Sequence, residues 1–177
     1  MRQGVPIALA WAALLFSLSL PALAAPTWYG VFKGGWTDFD YPDLPSGIDT
    51  TDSTFSLLAG MQFDFNPSSF SAGLEAGPVW LGRYGPDDNL SVGGLEAAVV
   101  GVARVATGTD LFVRTGVLGW DAKVRGARDE DGLDPHYGLG FRYGLDNLRF
   151  RGSVDWYELD DVEVEAYTLG FDYWFQR

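Results

Sequence analysis

Eight segments of alternating apolar and polar residues, an export-type N-terminus and an aromatic closing strand predict an all-β protein. The expected architecture is an eight-stranded antiparallel up-and-down transmembrane β-barrel. The closing segment, AYTLGFDYWF, alternates without a fault. On a strand, Tyr167, Leu169, Phe171, Tyr173 and Phe175 share one face, and Thr168, Gly170, Asp172 and Trp174 share the other. A wall in contact with lipid needs such an apolar exterior, and its lumen side can be polar.

Residues 1–24 read as a signal peptide. Arg2 is the positive start, Ile7 to Leu20 the apolar stretch, and Leu20-Pro21-Ala22-Leu23-Ala24 a small-residue cleavage site. Cleavage there leaves one domain, residues 25–177, as the barrel. No later apolar run approaches the ~20 residues of a membrane helix; the longest is Ala97 to Ala103. Cysteine is absent, so no disulfide supports an exported domain. A formal charge of -12 argues against nucleic acid as a partner. No cofactor and no metal site are expected.

The strands follow in order. Thr27 to Asp38 sets Trp28, Gly30, Phe32, Gly34 and Trp36 outward, with Tyr29, Val31, Lys33, Gly35 and Thr37 inward. Ser53 to Phe65 sets Phe55, Leu57, Ala59, Met61, Phe63 and Phe65 against Thr54, Ser56, Gly60, Gln62 and Asp64. Phe70 to Gly82 sets Phe70, Ala72, Leu74, Ala76 and Trp80 against Ser71, Gly73, Glu75 and Gly77, with Pro78 expected to interrupt its ladder. Leu90 to Ala106 and Leu111 to Ala122 alternate less cleanly, because Val100, Val102, Leu118 and Trp120 fall on the inner face. Pro135 to Tyr143 sets Tyr137, Leu139, Phe141 and Tyr143 outward. Leu148 to Trp156 does the same with Leu148, Phe150, Val154 and Trp156. Ala166 to Phe175 is the eighth strand, and an even number brings both chain ends to one side.

Asn66-Pro67-Ser68, Thr107-Gly108-Thr109 and Leu145-Asp146-Asn147 are short turns, expected on the periplasmic side. Phe39 to Asp52, Arg83 to Asp88, Lys123 to Asp134 and Glu158 to Glu163 are longer or more charged and are expected outside.

These faces sort the charges. Lys33, Arg104, Arg114, Arg142, Arg149 and Arg151 fall inward, against Asp64, Glu75, Glu96, Asp155 and Asp172. Near-neutrality is what an enclosed interior requires, because an unpaired buried charge is costly. The acid excess is left to the external loops and rims, where only Arg83, Lys123, Arg125 and Arg128 oppose it. Such a surface suits either plain solvation, or cation bridging to lipopolysaccharide, or a basic ligand.

TWYGVFKGGW and GLEAGPVWLGR resemble the first and third strands of the transmembrane domain of outer membrane protein A. YTLGFDYWF resembles that family's last strand and the sorting signal read by the barrel-assembly machinery, with Thr168, Gly170, Tyr173 and Phe175 at the matching positions. The resemblance implies an OmpA-like barrel in the outer membrane of a Gram-negative bacterium, a monomer among outer membrane lipids and lipopolysaccharide. It also implies an interior salt-bridge cluster of Lys33 and Glu75 with Arg114 and Arg151, and the inward faces add Glu96 and Arg142 to this charge network. Arg142 stands where the family carries an acid, so the family's interior switch is not carried over. The family's periplasmic peptidoglycan-binding domain has no counterpart here, and wall anchoring is not carried over either.

The expected function is non-enzymatic, a structural or surface-interaction role with a charge-filled interior. A small solute or ion channel is the alternative. A lipid A-modifying enzyme is a third reading, and it would need His136 as a base for Ser153 or another serine.

Overall fold

The computed structural model describes residues 25–40, 50–65, 69–84, 90–124, 130–159 and 162–175. The signal-peptide expectation for residues 1–24 lies outside them. So do the Asn66-Pro67-Ser68 turn and the loop charges Asp43, Asp49, Asp87, Asp88, Arg125, Arg128, Asp129, Asp160 and Asp161.

Eight strands form: β1 (Thr27–Asp40), β2 (Thr51–Asp64), β3 (Phe70–Tyr84), β4 (Leu90–Ala106), β5 (Thr109–Val124), β6 (Glu130–Tyr143), β7 (Leu148–Leu159) and β8 (Val162–Trp174). They pair in sequence order into a closed antiparallel barrel, and no helix occurs among the described residues. Closure runs from Tyr29 opposite Trp174 to Asp40 opposite Glu163, so β1 begins beside the end of β8. That end is called the terminal end here, and the opposite one the far end. Phe175 lies just past β8, where its N–H donates to the Trp28 carbonyl at 3.0 Å.

The strands outrun their expected bounds at the far end. Lys123, Val124 and Glu130 to Asp134 are strand, and β7 and β8 are separated only by residues 160–161. Each added residue keeps a partner on one neighbouring strand, as Glu130 to Asp134 do on β5, so acidic side chains need not end a strand whose backbone is paired. Pro78 does not stop β3 either. It points outward, its β4 pairing to Leu95 is kept, and the gap appears only toward β2.

One irregularity redirects side chains. Between Trp80 and Gly82 the β3–β4 register shifts, leaving Leu81 as an extra residue. Gly82 has φ 129°, a conformation that glycine adopts without Cβ strain. Beyond this bulge the alternation is inverted. Tyr84 is buried in the barrel, and Arg83 is exposed on the outside.

The faces otherwise fall as the alternation predicts. Phe32, Trp36, Phe55, Leu57, Leu95, Leu139, Leu169, Phe171 and Tyr173 are exposed on the exterior. Lys33, Glu75, Glu96, Arg114, Arg142, Arg151, Asp155 and Asp172 are buried within. A soluble barrel would invert this arrangement. A continuous apolar exterior around a charged interior is stable only with an apolar medium outside.

Candidate functional site: the packed lumen

The lumen is filled in two tiers. Toward the terminal end, five buried bases (Lys33, Arg114, Arg142, Arg149 and Arg151) meet five buried acids (Glu75, Glu96, Asp110, Asp155 and Asp172). Glu75 on β3 is the hub. Arg151 from β7 donates to both its oxygens at 2.8 and 3.0 Å; Arg142 from β6 and the Tyr29 hydroxyl each donate at 2.8 Å. Lys33 donates to Asp155 at 2.6 Å, and Arg114 joins Glu96 at 2.5 Å and Asp155 at 3.4 Å. Glu96 also accepts from the Tyr157 hydroxyl at 3.0 Å. The six expected network residues therefore converge in one volume.

Three sequence expectations are corrected. Alternation counts Asp64 and Arg104 among the interior charges. Asp64 is exposed at the rim, where it accepts from Gln62 and Ser71; Arg104 is 48% exposed and pairs with Asp110 at 3.2 Å. A short side chain at a strand end, or a long one beside a bulge, reaches water more cheaply than it reaches the lumen centre. Asp110, omitted from that count, is fully buried and pairs with Arg149. Its parity with Phe112 and Arg114 on β5 is the signal that would have found it.

Arg142 shows how its sign is accommodated. Its Nε lies 2.7 Å from Asp172 of β8, and its guanidinium lies 5.0 Å from the centroids of both Tyr29 and Phe112. Arg151 stands 4.3 Å over Phe112, and Arg149 stands 5.2 Å over Trp174. Aromatic faces thus pack the cations that the carboxylates neutralise.

The second tier, toward the far end, is apolar: Val79, Leu81, Tyr84, Val92, Leu118 and Ala122 pack with Tyr157, Leu159, Val164 and Ala166. Phe39, Leu90 and Trp120 close over it. The inward Val100, Val102, Leu118 and Trp120, which blurred the alternation in sequence, are packing residues of the lumen. Val100 and Val102 join Phe112 at the terminal end, and Leu118 is fully buried in the far tier. Tyr84 clamps this tier by hydrogen bonding with the Thr37 hydroxyl at 2.6 Å, and Thr37 donates to the Leu81 carbonyl at 2.8 Å.

His136 is buried between the tiers, stacked on Tyr157 with ring centroids 5.3 Å apart. It makes no hydrogen bond to Ser153, whose hydroxyl is engaged by Asp155 at 3.0 Å and Thr168 at 2.8 Å. Among the described residues no base–nucleophile pair forms there.

The four closing-strand positions divide by face. Thr168 is inward against Ser153. Gly170 is opposite Lys33, and a Cβ there would come within 2.0 Å of the Phe32 carbonyl. Tyr173 and Phe175 are outward, edge to face at 5.5 Å. Stacked outward pairs mark the far-end boundary: Trp36 with Tyr167 at 5.9 Å, Tyr137 with Trp156 at 5.5 Å and Phe55 with Trp80 at 6.4 Å. Interfacial aromatics of this kind flank the apolar band of membrane barrels.

No family model matches the chain, and no curated protein matches it by sequence. Solved structures do. Ail, the attachment invasion locus protein of Yersinia pestis, is similar with a TM-score of 0.62 at 15% identity, over 85% of this chain and 97% of that one. Neisserial surface protein A gives 0.62 at 10% identity, over 86% and 100%. The N-terminal β-barrel domain of Pseudomonas aeruginosa OprF gives 0.50 at 14% identity, over 86% and 99%. At such identities the likeness is one of fold, and the fold is the closed eight-stranded barrel of Gram-negative outer membrane proteins.

Proposed function

We propose that this protein is a non-enzymatic integral barrel of the outer membrane of a Gram-negative bacterium, with a structural or surface-interaction role and a closed lumen. One observation carries this reading. The apolar exterior encloses a lumen with balanced, mutually paired charges at one level and a packed apolar layer at the next. Eight strands leave room for side chains and little else. A hydrated ion would have to displace Leu118, Leu81 and Val164, then part the guanidinium groups around Glu75.

Residues 1–24 are proposed as a cleaved signal peptide, with the terminal end on the periplasmic side. Thr168, Gly170, Tyr173 and Phe175 are proposed as the signal for the barrel-assembly machinery; the exposure of the two aromatics supports this. Kinship with the transmembrane domain of outer membrane protein A is supported by the interior positions of Lys33 and Glu75. The protein is read as a monomer in contact with outer membrane lipids and lipopolysaccharide, with no nucleic-acid partner.

Planar-bilayer recording tests the closed lumen. The intact barrel is expected to show no reproducible open state. A reproducible conductance, altered by Glu75→Ala, would overturn the plug and support a small channel. Heat-modifiability on gels tests the barrel itself: the unboiled, folded form should migrate apart from the boiled one, and a single unshifted band would count against it.

A further inference from the structure

The outward charges of the far rim are unevenly placed. Asp38 on β1, Asp131 on β6, Glu158 on β7 and Glu163 and Glu165 on β8 make most of it acidic, whereas the two described outward cations, Arg83 and Lys123, stand on β3 and β5. The register ties them together: Arg83 is opposite Ser91 of β4, and Ser91 is opposite Lys123. Guanidinium, hydroxyl and ammonium therefore stand in one row across three strands, about 10 Å from end to end at the usual strand spacing. Arg83 belongs to this row only because of the bulge at Leu81–Gly82. Its guanidinium lies 5.8 Å from the Trp80 ring centroid, at the level of the aromatic boundary, and pairs with no carboxylate among the described residues. Lys123 is 71% exposed and lies 3.9 Å from Asp121, and Asp52 of β2 accepts the Arg83 backbone N–H at 2.5 Å, so two acids border the row.

Directly below the row, the lipid-facing surface is hollow. Gly93, Gly119, Ala76 and Ala97 stand where other strands carry Phe32, Leu139 or Phe171. An upper groove of about 540 Å³ descends from Ser91 and Lys123 past Trp80 to Leu95 and Gly119. A second, of about 470 Å³, continues one row further down, along Ala76, Ala97 and Val117 to Trp28. A paired cationic row above an apolar trough, on the surface that faces lipid, is complementary to an amphiphile with an anionic head and a long acyl chain.

We propose that the β3–β5 face docks a phosphorylated glycolipid of the outer leaflet, the lipid A moiety of lipopolysaccharide. Its phosphorylated disaccharide head lies along Arg83, Ser91 and Lys123, and one acyl chain lies in the grooves beneath. The proposal rests on the outer-membrane reading above, with the far end outward. Two cations about 10 Å apart suit a phosphorylated disaccharide better than a single glycerophosphate. Asp121 opposes the phosphate and weakens the site.

The test uses the full barrel in nanodiscs containing lipid A, phosphatidylglycerol or neither, with bound lipid counted by native mass spectrometry. Arg83→Gln or Lys123→Gln is expected to lower lipid A retention about fivefold, and the double variant about thirtyfold. Asp121→Asn should raise it. Ala97→Phe, which fills the trough with the cations intact, should also lower it. Arg104→Gln, an exposed cation at the opposite end, should leave it unchanged. Retention by the double variant equal to that of the unaltered protein, or equal retention of phosphatidylglycerol, would overturn the site. Loss of retention in Asp121→Asn would overturn direct phosphate contact in favour of a cation-bridged one. Failure of the unaltered chain to insert into a bilayer would overturn the outer-membrane reading, and this proposal with it.

Discussion

The two tiers of the lumen occupy the same barrel but are held by opposite physics. In the charged tier nearly every side chain depends on a named partner, because burying an ion costs several kcal/mol that only good geometry returns. Glu75 answers Arg151, Arg142 and Tyr29 together, so its loss strands groups on three other strands. In the apolar tier no contact is individually needed, and burial is additive and non-directional. The charged tier therefore constrains which strands close against which, whereas the apolar tier mainly excludes water.

That contrast can be broken by substitution. The largest effect is expected from Glu75→Ala, which leaves buried guanidinium groups uncompensated and should cost about 3–5 kcal/mol. Urea unfolding in lipid vesicles, followed by loss of the heat-shifted band, would measure it. Leu118→Ala removes a fully buried side chain from the far tier and should cost about 2 kcal/mol, low in the range for such cavities because the barrel mouth can close in. Equal losses for the two variants would erase the distinction between tiers. Tyr84→Phe deletes the hydroxyl that holds Thr37 and should cost about 1 kcal/mol in the same assay, leaving the charged tier untouched. A loss as large as that of Glu75→Ala would mean the far tier also rests on a polar network.

Much of this was legible from alternation. Side chains on a strand have a period of two, so the inward placement of Lys33, Glu75, Glu96, Arg114, Arg142 and Arg151 could be read before any fold was known. The same rule misjudged what broke the period. Val100, Val102 and Leu118 weakened the pattern because apolar residues stood on both faces, and the structure uses them to pack the lumen. Parity also failed at the Leu81 bulge, where one extra residue turns Tyr84 inward and Arg83 outward. Strand ends were underestimated wherever acidic residues suggested loops, as from Glu130 to Asp134 on β6.

By itself, the sequence determined the number of strands, the face that most side chains take away from bulges and strand ends, and the near-neutrality of what is enclosed. All three follow from local periodicity and from the cost of unpaired buried charge. Only the closed tertiary structure decided which charge meets which. Lys33 of β1 reaches Asp155 of β7, and Glu75 of β3 reaches Arg151 of β7, across the lumen between strands that are not neighbours. No register along a hairpin specifies such contacts, because they depend on the diameter and stagger that closure imposes.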